Sequence, residues 1–148
     1  MSEINIRNKR AAFEFQFLET FVAGMVLSGT EIKSIRNTKV SINEAYCIIQ
    51  HGEAFIRNMH IAEYEKASFY KHEPRADRKL LLSKTELKRI TKALKDKGIT
   101  LIPIKLFLSD KGWAKLEIAI AKGKKLYDKR EDLKSKDAKR ELDRQLVR

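Results

Sequence analysis

Apolar and polar residues alternate along several stretches of this chain, with the two-residue period of strands that bury one face. Phe13, Phe15 and Phe17 alternate with Glu14 and Gln16, and a second strand is expected to end at Leu27. Ser28-Gly29-Thr30 then supplies turn residues and an N-cap, and Ile32 and Ile35, three positions apart, predict a short helix over residues 31–36. Alternation returns over 40–61. Ala45, Cys47 and Ile49 fall on one side, His51-Gly52 makes a turn, and Phe55-Ile56 leads on to His60-Ile61, so the stretch reads as a hairpin. Residues 63–77 are polar, contain Pro74 and keep no period, which predicts a loop with a brief strand near Phe69; Leu80-Leu81-Leu82 ends it.

Ser83-Lys84-Thr85-Glu86 has the spacing of a capping box and opens a helix carrying Leu87, Ile90 and Leu94 on one face, with Gly98 as its stop. Two strands follow over 100–108 and 113–121, joined by Ser109-Asp110-Lys111-Gly112. In the second, Ala114, Leu116, Ile118 and Ile120 alternate with Lys115, Glu117 and Ala119, the pattern of a hairpin. Cys47 and Trp113 are expected to pack inside. The predicted fold is mostly β with short helices: a small closed OB-like β-barrel over residues 1–121. From Lys122 the composition changes. Residues 122–148 hold eleven basic and six acidic side chains, a net of +5, while Leu126, Leu133, Leu142, Leu146 and Val147 are too sparse for a buried stripe. A C-terminal tail, disordered when free, is expected there.

Charge narrows the function. Across 148 residues, 32 Lys and Arg against 20 Asp and Glu give a formal net charge of +12, which attracts polyanions, nucleic acid first. An anionic membrane would accept the same charge, but no apolar run approaches the roughly 20 residues of a span. The start MSEINIRNKR lacks the apolar stretch of a secretory signal and Cys47 is the one cysteine, so a cytoplasmic protein without disulfides is expected. His51, His60 and His72 have no ligand or base spacing, so no metal, no cofactor and no catalytic residue is expected. Two other readings are a general OB-type translation factor or RNA chaperone and a small metal-dependent nuclease; the latter needs clustered carboxylates, and the acidic residues here are scattered among lysines.

Five runs in order carry a resemblance. Asn8-Lys9-Arg10-Ala11-Ala12-Phe13-Glu14-Phe15 is followed by 18–36, with Gly29-Thr30-Glu31-Ile32-Lys33-Ser34-Ile35-Arg36 at its end. Next come His72-Glu73-Pro74 and Arg78-Lys79-Leu80-Leu81-Leu82, then Gly123-Lys124-Lys125-Leu126-Tyr127-Asp128-Lys129-Arg130. Together they resemble the SmpB family of SsrA-binding proteins from about Asn8 to the C-terminus. The resemblance implies a tmRNA-binding protein required for trans-translation, and not an enzyme. Its barrel would bind the tRNA-like domain of tmRNA and deliver it to the A site of stalled ribosomes. The alanyl-tmRNA would arrive with elongation factor Tu. The tail would become helical in the empty mRNA channel near the small-subunit decoding centre.

The resemblance also suggests sites. RNA contacts are expected from Asn8, Lys9, Arg10, Glu31, Lys33, Ser34, Arg36, Lys79, Lys122, Lys124 and Lys125. Ribosome contacts are expected from Gly123, Tyr127, Asp128, Lys129, Arg130, Lys134, Lys136, Lys139, Arg140 and Arg144. Asn8 can donate and accept and Glu31 can accept, so each could read the edge of a splayed-out base; a turn asparagine and an early-helix carboxylate are the plainer readings. Lys33, Ser34, Arg36 and Lys79 read equally as solvated surface. Tyr127 offers a stacking plane between basic residues. The family commonly has a histidine at that point, and tyrosine cannot carry its charge.

Overall fold

The computed structural model describes residues 4–64 and 72–124. The strand expected near Phe69 and the tail from residue 125 lie outside the described residues. In chain order the elements are β1 (Asn5–Arg7), α1 (Ala11–Glu14), β2 (Phe15–Met25), α2 (Gly29–Arg36), β3 (Val40–Ser41), β4 (Tyr46–Gln50), β5 (Glu53–Arg57), β6 (His60–Ile61), β7 (Arg78–Leu81), α3 (Lys84–Ala93), β8 (Ile99–Leu108) and β9 (Ala114–Gly123). Pairing runs β8-β4-β5-β7-β2-β9 and returns to β8, every pair antiparallel. The mostly β sheet predicted by the alternation therefore closes on itself. It does so with six strands, one more than the five of an OB-type barrel. Closure between β4 and β8 rests on the position pairing Cys47 with Leu101, and β1 continues that edge of β8 at residues 105–107.

Two bulges decide which side chains face inward. On β2, Phe17 pairs with Ala121 and Glu19 with Ile120, leaving Leu18 as an extra residue; on β8, Ile104 is extra between Pro103 and Lys105. An extra residue inverts the alternation of everything beyond it. Phe21, Ala23 and Met25 consequently join the interior with Leu116, Ile118 and Ile120. Phe15 and Phe17 pack on the outside of the ring with Ile102, Ala119 and Ala121. Ala11 covers that outer patch, which explains a departure from expectation: residues 11–14 form a helical turn where Phe13 was read as strand. The stretch 15–25 is then one long strand instead of two.

The hairpin read over 40–61 is also subdivided. β4 and β5 pair through a two-residue turn in which His51 and Gly52 both have positive φ, the geometry that suits the twist of a tight hairpin. β3 and β6 form a separate two-stranded ladder beside it. The helix after Ser83 forms with its capping box intact, yet ends at Ala93 with Leu94 as C-cap, five residues before its expected terminus. Short turns follow, and Gly98, at φ +84°, redirects the chain into β8. α2 and α3 each send a fully buried isoleucine, Ile35 and Ile90, into the same core.

Cys47 is buried as expected, and burial pushes its thiol well up from the ordinary range. Trp113 is not buried. It follows the turn of the β8–β9 hairpin, where its backbone exchanges hydrogen bonds with Ser109, and its side chain is 67% exposed. The contrast with Leu116, three residues on and wholly buried, is measurable by urea unfolding. Leu116→Ala should cost about 2–5 kcal/mol, whereas Trp113→Ala should stay within about 0.5 kcal/mol of the parent. A comparable loss in both would place Trp113 in the core after all.

Candidate nucleic-acid interface

α2 begins with a reciprocal cap: the Ser28 hydroxyl accepts from the Glu31 amide, and the Ser28 amide donates to Glu31 Oε1 at 2.9 Å. The Ser-x-x-Glu spacing that marks α3 is therefore present here as well, and was readable in the sequence. The other Glu31 oxygen accepts from Arg78 Nε. Arg78 is only 3% exposed and Glu31 7%. Burial by itself would raise the Glu31 carboxyl, but the Ser28 amide and the Arg78 guanidinium outweigh it and hold the group below its usual 4.5. The remaining Arg78 donors reach backbone carbonyls of Met59 at 2.8 Å and of Glu73, Pro74 and Ala76 at 3.1 Å. Ser34, 1% exposed, donates to the Ala62 carbonyl at 2.7 Å. His72 donates Nε2–H to the Ile61 carbonyl and shares a hydrogen bond between Nδ1 and the Thr30 hydroxyl, both at 2.9 Å.

These contacts revise part of the sequence reading. Glu31 and Ser34, expected to face RNA, are buried and fasten α2 to the chain around residues 59–62 and 73–78. Burial is the physical reason: both lie on the inner side of the helix with Ile35. Lys33 and Arg36 lie on the outer side, Lys33 with its ammonium 5.3 Å from the centre of the Tyr64 ring. Asn8 is half-buried and locally engaged, donating to the Pro103 carbonyl at 3.0 Å and accepting the Arg10 amide at 3.3 Å. Lys9 and Arg10 are exposed, and the Lys9 amide bonds to the Asn43 side chain at 3.1 Å. Lys79 points outward and pairs with Glu53 at 3.3 Å. Lys122 and Gly123 are exposed at the end of β9, two residues further along a strand than expected. Lys124 is tied to the Glu14 carbonyl through its amide and to the Ala12 carbonyl through its Nζ, both at 2.9 Å. Lys125, Tyr127, Asp128, Lys129, Arg130, Lys134, Lys136, Lys139, Arg140 and Arg144 lie outside the described residues.

The strand order distributes these groups. Asn8 is bonded to β8, and β7, which carries Lys79, lies three pairings from β8 in either direction round the ring. Asn8 and Lys79 therefore lie on opposite sides of the ring. Val22 and Leu81 stay half exposed on the outer face, flanking Gly24, which pairs with both Leu81 and Lys115. Sequence reasoning missed Arg78. Its signal was alternation, because Arg78 and Leu80 share the inward side while Lys79 and Leu81 face out. Among the described residues, no three His, Cys, Asp or Glu side chains gather as a metal site.

The buried pair makes a signed prediction. Glu31→Gln or Arg78→Met should each cost about 3–5 kcal/mol, since either leaves its partner's charge buried alone, and the double variant should cost less than the two together. Because the folded Glu31 carboxyl sits below 4.5, the unfolded chain takes up its proton first as pH falls. The stability this group supplies is complete above 4.5 and disappears as pH drops through the lower folded value. Urea unfolding should therefore show the gap between parent and Glu31→Gln closing in acid; a gap that stays constant would refute the pair's role.

Comparison with known proteins agrees with this geometry. The sequence profile of the SmpB protein family matches residues 5–148. The SsrA-binding protein of Cytophaga hutchinsonii is 56% identical over 144 residues, covering 97% of this chain and 94% of its own length. That of Phocaeicola vulgatus is 54% identical, covering 98% and 97%. A solved chain from work on tmRNA–SmpB at the centre of the bacterial ribosome superimposes with a TM-score of 0.70 at 41% identity, over 83% of this chain and 86% of that one. With a family profile spanning nearly all of its length and relatives more than half identical to it, this chain belongs to the SmpB family.

Proposed function

We propose that this protein binds the tRNA-like domain of tmRNA and brings it to the A site of stalled bacterial ribosomes, acting by binding and positioning and not by catalysis. The observation that carries this reading is family membership along the whole matched length, 5–148, with relatives named for SsrA binding. Charge supports it, since a net +12 with Lys9, Arg10, Lys33, Arg36 and Lys122 exposed supplies phosphate contacts around a folded RNA that is recognised by shape. The alanylated tmRNA arrives with elongation factor Tu, and the work is done in the cytoplasm. The chain beyond Lys124 enters the empty mRNA channel near the decoding centre. There Lys136, Lys139, Arg140 and Arg144 face RNA walls, Tyr127 stacks, and helix forms because the channel offsets the ordering entropy.

Two experiments test this division. Affinity for the isolated tRNA-like domain should fall log-linearly with salt, with a slope of roughly 0.7–0.9 per phosphate neutralised; a flat response would exclude phosphate-driven binding. Truncation after Lys124 keeps its backbone bond to Glu14. It should leave affinity in filter binding nearly unchanged while abolishing peptide tagging on ribosomes stalled at a message end. Ala138→Pro, costing roughly 3 kcal/mol in a helix interior, should mimic it. Normal tagging by the truncated protein would overturn the role given to the tail.

A further inference from the structure

Outside the β3–β6 ladder, Ser41 and His60 stand opposite each other in register, on the face away from buried Ile42 and Ile61. Turns on both sides raise walls around them. Asn43 and Glu44 follow β3, Asn58 precedes β6, and Arg75 reaches in from the loop before β7, lining an open recess of about 310 Å³. That is the lower bound of small-ligand sites and suits one planar heterocycle.

The walls are held by their own bonds. Asn58, left-handed at φ +63°, donates to the Glu44 carbonyl at 3.3 Å and accepts Arg75 Nη1 at 2.7 Å. Asn43 Oδ1 accepts the Lys9 amide at 3.1 Å, which sets the recess beside exposed Lys9 and Arg10. The Glu44 carboxylate lies 3.9 Å from Arg75, too far for a hydrogen bond, and its side chain is 74% exposed. A carboxylate and a guanidinium thus stand side by side in a recess also lined by an imidazole and a hydroxyl.

We propose that this recess takes an unpaired guanine of RNA, an inference that rests on the RNA-binding reading above. Guanine is the RNA base whose Watson–Crick edge offers two adjacent donors, N1–H and N2–H, which a carboxylate accepts together. Its O6 and N7 accept from a guanidinium. Glu44 and Arg75 supply that complement, and the His60 ring supplies a stacking plane. Adenine offers Glu44 a single amino group and is bound more weakly.

The test uses the full chain and two tetranucleotides, UUGU and UUAU. UUGU should bind roughly tenfold tighter and shift the NMR signals of the Asn43 side-chain amide and the His60 ring. Glu44→Gln, a substitution at an exposed position, should bring the two affinities together. Equal affinities in the parent, or shifts confined to other residues, overturn the proposal. The same variant, assayed on the tRNA-like domain and on ribosomes, assigns the source: loss on the first places the guanine in tmRNA, loss on the second places it in ribosomal RNA, and loss on neither overturns the proposal. If the parent protein fails to bind the tRNA-like domain while keeping the tetranucleotide preference, the functional reading fails and the recess stands.

Discussion

A guanidinium withdrawn from water is the constraint on which the rest of this structure depends. An isolated buried cation carries a desolvation penalty of several kcal/mol, so Arg78 can stay inside only if its donors find acceptors. They find the Glu31 carboxylate and the carbonyls of Met59, Glu73, Pro74 and Ala76. Those acceptors belong to the first turn of α2, the turn before β6 and the loop before β7. One side chain therefore fixes three segments that the hydrogen-bond ladders of the ring do not fix themselves. A one-residue slip of β7 would turn Arg78 outward and undo all of these contacts together.

The second organising feature is the pair of bulges at Leu18 and Ile104. Without the first, Phe15 and Phe17 would face the same side of β2 as Phe21, Ala23 and Met25. With it β2 buries different faces along its length, first outward beneath α1 and then inward in the core. The chain after β9 leaves beside α1, tethered at Lys124, so the start of the tail is set by the same outer patch that holds Ala11.

Affinity and selectivity are separated in this arrangement. Phosphate contacts depend on charge and reach and carry no sequence information directly. Base selection depends on donors and acceptors held at fixed spacing. At the recess beside Ser41 and His60 the asparagines are committed to the backbone and to Arg75, which fixes the walls. Glu31, which has the chemistry to read a base, spends both oxygens on Ser28 and Arg78, and so holds α2 in place.

Much of this was readable in one dimension. Period-two alternation located the strands of the β4–β5 and β8–β9 hairpins, the Ser-x-x-Glu spacing located the start of α3, and the ordered runs around Asn8, Glu31, Lys79 and Gly123 led to the family. These signals are local, set by backbone geometry and by residues a few positions apart. What stayed hidden was long-range. The bulges invert burial without leaving a mark in composition. The exposure of Trp113 depends on where a hairpin tip ends relative to the ring. The burial of Glu31 depends on Arg78, 47 residues away, and a charge in a sequence reads as surface until its partner is placed beside it. The sequence by itself determined strand content, charge and family. Only the tertiary structure decided which polar side chains face solvent and which are consumed inside, because that depends on pairing between segments that no local period encodes.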